Sequence, residues 1–288
     1  MILREALQSV AQTLRKAGIS DALVEAELLL GHVLGISKTQ LYMEPERGLA
    51  SAEIKRLWNL VQRRISHEPA AYILGHCEFY GTDFYVDRRT LIPRPETELL
   101  VEKAVELAQR IFDPGKQITI ADIGTGCGAI AVSLALTLPQ SKIYATDISA
   151  SALQVAEINC QRHAVSSHVT LLQGNLLEPL PQPVDMVIAN LPYIKNYEFK
   201  DLSPEIRNFE PTIALDGGED GLDKIQQMLE QMPGKLNYRA CFLLEIGQGQ
   251  GEMVTSLINS HFPQAGIELT PDLGGIERVV TAIPMESG

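Results

Sequence analysis

The spacing of apolar positions changes character along the chain: helical up to about residue 66, and gathered into short runs from residue 118 onward. Leu3, Leu7, Val10 and Leu14 mark one face of a first helix. Ser20 or Asp21 can cap a second helix that runs to Leu34, where Gly35 stops it. A short segment from Lys38 to Met43 follows, and Ser51 with Glu53 and Ile54 opens another helix ending near Ser66. No strand-like alternation interrupts these residues, so 1–66 reads as a small helical bundle. Residues 67–95 differ. Two short aromatic-rich runs, Cys77 to Tyr80 and Phe84 to Val86, flank Gly81 and predict a β-hairpin connector. Leu91-Ile92-Pro93-Arg94-Pro95 is extended, because proline drives its predecessor out of the helical region. Pro95 suits the start of a helix that continues to Ile111.

Strands and helices then alternate over 118–122, 129–138, 142–146, 150–163, 169–172 and 184–189. Such alternation predicts βαβ units and a parallel sheet, an α/β fold. An acidic stretch, 195–223, interrupts the pattern, and a loop that long in a compact domain is functional or disordered. A helix over 224–231, a strand over 240–245, a helix over 249–259 and candidate strands at 265–270 and 278–282 complete the chain. The organisation read from the pattern is a bundle at 1–66, a connector at 67–95 and an α/β domain at 96–288.

Composition narrows the function classes. The 288 residues are 45% hydrophobic and 21% charged, ordinary for a soluble protein with a real core. No uncharged apolar run reaches the ~18 residues a membrane span needs, and the first residues lack a signal-peptide pattern. Cys77, Cys127, Cys160 and Cys241 lack the close spacings of metal sites or disulfide frameworks, so free thiols in a reducing cytoplasm are expected, with no metal. The net charge is −12, and because residues 1–80 are balanced the whole excess lies in the remainder. A protein that grips a nucleic-acid backbone needs a basic surface. The balance argues against DNA or free RNA as substrate.

Two motifs carry chemistry. Asp122-Ile123-Gly124-Thr125-Gly126-Cys127-Gly128 follows a strand and opens a helix, and its alternate glycines allow a tight turn close to a ligand. Dinucleotide oxidoreductases use a similar loop, but this spacing departs from G-x-G-x-x-G. Thr146-Asp147 ends the next strand, where an acid can accept hydrogen bonds from a ribose diol. The loop resembles the first motif of the S-adenosylmethionine-dependent methyltransferases. In that resemblance Gly174-Asn175 takes the place of a polar residue near the adenine, where many members carry Asp. It implies donor contacts from Asp122, Gly124, Thr125, Gly126, Cys127, Gly128, Asp147, Ile148, Asn175 and Leu176, with Asn190.

The second motif, Asn190-Leu191-Pro192-Tyr193, follows the apolar run Asp185-Met186-Val187-Ile188-Ala189, a buried strand by its pattern. Ligands in open α/β sheets bind at the carboxyl ends of strands. A planar nitrogen is a poor nucleophile, so an enzyme must hold it in line with the methyl and accept hydrogen bonds from its N–H groups as charge develops. The Asn190 side-chain oxygen and the Leu191 carbonyl suit that task, and Tyr193 can pack on a flat amide or base. The tetrapeptide resembles the (Asn/Asp)-Pro-Pro-(Tyr/Phe) signature of amino-group and amide methyltransferases, with Leu191 as a departure. It also resembles the turn of ribosomal RNA adenine dimethyltransferases, so alone it leaves the substrate open.

Longer motifs discriminate. Glu68-Pro69-Ala70-Ala71-Tyr72-Ile73-Leu74-Gly75, Glu78-Phe79-Tyr80-Gly81 and Leu91-Ile92-Pro93-Arg94-Pro95-Glu96-Thr97-Glu98 precede the glycine loop. Phe209-Glu210-Pro211, Leu215-Asp216-Gly217-Gly218-Glu219-Asp220-Gly221-Leu222, Leu244-Glu245-Ile246-Gly247, and Asp272-Leu273 with Arg278-Val279 follow the tetrapeptide. Together they resemble the protein-(glutamine-N5) methyltransferases that modify peptide chain release factors. The resemblance implies a Rossmann-like class I methyltransferase fold, a seven-stranded sheet with a small N-terminal α-helical bundle domain. It implies S-adenosyl-L-methionine as donor and the glutamine of a release-factor Gly-Gly-Gln loop as acceptor, in a cytoplasmic monomer without membrane or direct nucleic-acid partners. Asn190 and Tyr193 become catalytic, and Asn190, Leu191, Pro192, Tyr193, Arg94 and Glu96 become substrate-binding. For Arg94 and Glu96 a surface ion pair worth little is the alternative. The bundle would recognise the release factor. A glutamine amide has no usable basicity, so no strong general base is expected. An N6-adenine methyltransferase shares both motifs but would need a basic surface, and a non-catalytic binding module leaves the loop and Asn190 unexplained.

Overall fold

The computed structural model describes residues 1–113 and 115–283. The chain divides into two compact units, Met1–Gly75 with Ser203–Phe209, and His76–Leu202 with Glu210–Gly288. The last positions of the α/β domain read from the sequence, 284–288, lie outside the described residues.

The first unit holds α1 (Leu3–Lys16), α2 (Ala22–Leu34), α3 (Lys38–Met43), α4 (Ser51–Ile65) and α5 (Ala70–Leu74). Leu3, Leu7, Val10 and Leu14 of α1 pack with Leu29, Leu30, Leu57, Val61 and Ile73 in one apolar core, as the helical spacing requires. Gly35 ends α2 in the left-handed region at φ 66, where glycine carries no Cβ penalty. Asp21 stands at the N-cap of α2, but its side chain makes no capping hydrogen bond. The short helix α5 falls in the stretch the pattern assigned to the connector, and its buried Tyr72 and Ile73 explain why it folds.

The second unit opens with the hairpin β1 (His76–Phe79) and β2 (Thr82–Tyr85), paired antiparallel from His76↔Tyr85 to Phe79↔Thr82. A 3-10 turn, Pro95–Thr97, leads into α6 (Glu98–Ile111). The alternating region supplies β3 (Thr119–Ile123), α7 (Ala129–Thr137), β4 (Lys142–Asp147), α8 (Ala150–Arg162), β5 (Val169–Gln173) and β6 (Val184–Ala189). The stretch read as a loop is folded: 3-10 turns Asn196–Asp201 and Thr212–Ala214 flank α9 (Pro204–Phe209), which belongs to the first unit. Then come α10 (Asp223–Gln231), β7 (Leu236–Glu245), α11 (Gly251–His261), β8 (Gly266–Pro271) and β9 (Glu277–Ile283).

The sheet has seven strands in the order β5-β4-β3-β6-β7-β9-β8. Strands β5 to β7 are parallel, and β9 runs antiparallel to β7 and β8. All six residues of β6 are buried, which is why the sequence there is continuous rather than alternating. The chain leaves β3 toward β4 on one side and returns as β6 on the other. A crevice opens at such a switch point, beyond the carboxyl ends of the strands. Ile123 pairs with Ala189 there, so the glycine loop and the Asn190 turn start side by side. Among the described residues no helix is long and apolar enough to cross a membrane.

Candidate active site

The crevice at the ends of β3, β4, β5 and β6 is a cavity lined by Gly124, Gly126, Asp147, Ile148, Asn175, Leu176, Asn190, Leu191 and Pro192 among others. The glycine loop meets it with backbone. Gly124, Gly126 and Gly128 have φ of 74, 57 and 83, conformations that other L residues adopt only at a cost. The N–H groups of Gly124 and Thr125 both donate to the Thr146 carbonyl at 2.9 Å, and Gly126 N–H donates to Asp147 Oδ2 at 2.9 Å. Asp147 Oδ1 accepts from Ser149 N–H at 2.8 Å. Burial pushes the Asp147 carboxyl above its ordinary range, against these hydrogen bonds. Ile148, 54% exposed, offers an apolar face beside that carboxylate.

Four of the residues expected at the donor lie outside the lining of this cavity. Asp122 is fully buried, and its Oδ2 accepts from the Thr125 hydroxyl at 2.6 Å and from Ala131 N–H at 3.2 Å. It braces the loop and the start of α7 from beneath. Desolvation, with the Asp147 charge adding to it, pushes the Asp122 carboxyl up to about 7. Thr125 is the buried partner in that brace. Cys127 is buried, its thiol pushed up to about 12 by desolvation. Gly128 packs against α8, where an added Cβ would come 3.2 Å from Ala156 Cβ. None of these four is among the residues lining the cavity.

The Asn190 turn is held by distant parts of the chain. Asn190 Nδ2 donates to the Thr97 hydroxyl at 3.0 Å. Leu191 is buried, with its Cδ2 3.3 Å from where a Cβ on Gly124 would stand. That contact accounts for leucine here: the side chain fills the space above the glycine loop. The Tyr193 carbonyl accepts from Gln250 Nε2 at 3.2 Å, and the Tyr193 hydroxyl donates to Glu245 Oε1 at 3.4 Å. Burial, then the Glu245 charge, raises the Tyr193 phenol above its ordinary value, so it is no base at neutral pH. Tyr193 lies outside the lining of the donor cavity, unlike Asn190, Leu191 and Pro192. Gly217 and Gly221 back the turn. An added Cβ would lie 2.7 Å from Tyr193 Cα at Gly217 and 2.4 Å from the Tyr193 carbonyl oxygen at Gly221. The Leu215–Leu222 motif is therefore glycine-rich because a second backbone must press against Tyr193.

Arg94 bonds through Nη2 to Glu210, a carboxylate only 2% exposed, so the pair is not a surface contact. It ties the extended Pro-Arg-Pro segment to the residue before Pro211, which lines the cavity. Glu96 is exposed. Sequence reasoning missed Arg89, Thr90, Ile213, Ala214 and Lys224 as lining residues. Leu91 and Pro211 also line it, and both lay inside motifs quoted above, a signal available without a structure. Arg89 binds Asp87 at 2.9 Å and holds that carboxyl near 2.

The residues lining the cavity fit S-adenosylmethionine. Glycine backbone leaves room for close approach, Asp147 can accept from a diol, Ile148 and Leu176 offer apolar contact to a flat base, and the Asn175 amide offers polar contact. Residues 5–75 match a family described as the PrmC N-terminal domain, and residues 97–205 match the methyltransferase small domain. The release factor glutamine methyltransferase of Moorella thermoacetica is 40% identical over 287 residues, covering 99% of this chain and 100% of that protein. Its Bacillus cereus counterpart is 36% identical over 285 residues, 98% of this chain and 99% of the relative. A methyltransferase of solved structure from Pyrococcus furiosus superposes with TM-score 0.52 at 15% identity, over 82% of this chain and 99% of that one. That likeness speaks for the fold alone.

Proposed function

The chain belongs to the release factor glutamine methyltransferases, and from that premise we propose that it methylates N5 of the glutamine in the Gly-Gly-Gln motif of peptide chain release factors, with S-adenosyl-L-methionine as donor. The observation that carries the reading is the pairing of Ile123 with Ala189. It sets the glycine loop and the Asn190 turn on adjacent strands, facing one cavity. The donor supplies an electrophilic methyl group. Gly124, Gly126, Asp147, Ile148, Asn175 and Leu176 would hold it. Asn190, with its amide nitrogen engaged by Thr97, has its side-chain oxygen left to accept from the glutamine N–H. The Leu191 carbonyl can take the second N–H, and the Tyr193 ring bounds the turn. Holding the nitrogen in line is the larger part of catalysis here. Acceptors that strengthen as the amide gains positive charge supply the rest. The surplus proton leaves to water, because the phenol of Tyr193 is raised away from the neutral range. The helical unit would dock the release factor.

The test mixes the protein with radiolabelled donor and, separately, a release factor, a plasmid and ribosomal RNA. Label is expected in the release factor, and loss of its glutamine to alanine should remove it. Label entering only the nucleic acids would sink the reading. Absence of both label and calorimetric donor binding would favour a non-catalytic module.

A further inference from the structure

We propose that Gln250 is a positioning residue for methyl transfer, holding the Asn190 turn by the Tyr193 carbonyl so that the Leu191 carbonyl keeps its aim. The inference rests on the reading of the Leu191 carbonyl as an acceptor for the glutamine N–H. Gln250 stands at the N-cap of α11, yet its side chain makes no capping bond to its own helix. It is only 2% exposed, whereas Gln248 on the same turn faces solvent. A carboxamide taken out of water loses stability unless its oxygen and both amide protons find partners. Gln250 finds all three. Its Oε1 accepts from Gly247 N–H at 2.8 Å, and its Nε2 donates to the Tyr193 carbonyl at 3.2 Å and to the Gly221 carbonyl at 3.3 Å.

The partners are main-chain groups, and they decide which end of the amide goes where. An N–H only donates and a carbonyl only accepts, so a reversed amide would fail at all three. One side chain therefore ties the turn after β6 to the Leu215–Leu222 motif and to the exit from β7. Gly247 makes room for it. An added Cβ there would stand 3.0 Å from Gln250 Oε1 and 3.0 Å from Tyr193 Cδ2.

Gln250 acts on the part of the turn that has least else to hold it. Among the described residues, Leu191 and Pro192 make no main-chain hydrogen bond, and Tyr193 makes one, through its carbonyl. The Tyr193 hydroxyl reaches Glu245, a buried carboxyl that desolvation pushes up to about 7, at 3.4 Å. That contact orients the ring and leaves the main chain to Gln250. Upstream, Thr97 fixes Asn190; downstream, Ile194 N–H donates to the Leu215 carbonyl at 3.0 Å. Between these anchors the ring of Pro192 fixes its own φ. Few soft torsions then separate the Leu191 carbonyl from the Tyr193 carbonyl, and pinning the second aims the first. Aim matters because a hydrogen bond weakens steeply as it bends.

The test uses the full chain with a release factor and labelled donor. Gln250→Glu keeps an acceptor for Gly247 and removes both N–H groups from the two carbonyls. It should lower kcat on the order of 100-fold, with KM for the release factor and calorimetric donor affinity near wild type. Gln250→Met keeps the length of the side chain without the amide, and kcat should fall in the same direction. Gln248→Glu, the same change at the exposed neighbour, should leave kcat unaltered. The carbonyl carbon resonance of Tyr193 should move in both Gln250 variants and stay in place in Gln248→Glu. In the wild type, the side-chain N–H protons of Gln250 should exchange with solvent far more slowly than those of Gln248, a reading that needs no variant to fold. Wild-type kcat in either Gln250 variant, an equal loss in Gln248→Glu, loss of donor affinity in step with kcat in both Gln250 variants, or fast exchange at Gln250 would each overturn the positioning role. A wild type that leaves release factors unlabelled would overturn the substrate assignment instead, and the exchange and carbonyl readings would still judge the hold of Gln250 on the turn.

Discussion

The glycine loop and the Asn190 turn leave the sheet from paired strands, yet they are built by opposite means. The loop is a local construction. Asp122 holds Thr125 three positions away, and Gly126 reaches Asp147 only 21 positions on. Its conformation follows from left-handed glycines in its own sequence. The turn has almost nothing local to hold it. Thr97 grips Asn190 from 93 positions away, and Gln250 grips the Tyr193 carbonyl from 57 positions away. Gly217 and Gly221 press on it from a segment that the hydrophobic pattern left as loop. The glycine loop is a short, self-sufficient motif. The Asn190 turn is assembled from several segments.

Variants on the two sides should separate accordingly. Asn190→Ala should have the largest effect, lowering methyl transfer on the order of 10²–10³-fold while calorimetric donor affinity changes little; collapse of donor binding instead would move Asn190 to the donor site. Gly221→Ala would drive a Cβ to 2.4 Å from the Tyr193 carbonyl and 2.6 Å from Gln250 Nε2. It should cost on the order of 100-fold in kcat with donor affinity kept. Gly126→Ala is the control on the donor side. No atom stands within 4 Å of its added Cβ, so only the left-handed backbone penalises it, by about 1–2 kcal/mol. It should weaken donor binding by roughly tenfold and leave kcat at saturating donor nearly intact. Equal effects of the two glycine variants on donor affinity would erase the comparison.

The smallest expected effect concerns stability. The buried Asp122 carboxyl is raised from 3.8 to about 7, so in that window the folded chain holds a proton that the unfolded chain has lost. This contribution is fully present below the unfolded value and disappears as pH rises through about 7. Thermal scans should therefore show Tm falling over that window. Asp122→Asn, which keeps an acceptor for Thr125 and Ala131, should make the fall shallower, with Glu245 supplying the slope that remains. A variant with the wild-type slope would show that Asp122 is ionised throughout.

Much of the architecture was visible in the order of residues. The apolar runs at β3, β4 and β6 and the helical spacing of α1 and α4 report burial directly, because each element must hide one face or both. The glycine loop was visible too, although not what each of its members does structurally. Asp122, Thr125, Cys127 and Gly128 read as donor contacts, whereas Asp122 and Thr125 brace the loop and Cys127 and Gly128 pack beneath it. The periodicity of α5 was too short to register, and α9 gains its order from a tertiary contact, the buried Arg64 guanidinium bonding Glu25 and Glu205. A guanidinium so buried needs such partners, and no local pattern announces them.

By itself the sequence determined the fold class and marked out the glycine loop and the Asn190 turn, since each depends on residues close along the chain. Only the tertiary structure decided how that turn is held. Thr97, Glu245, Gln250, Gly217 and Gly221 converge on it from separate segments. Contacts between segments so far apart along the chain are made by groups meeting in space, and they are written nowhere in the order of the residues.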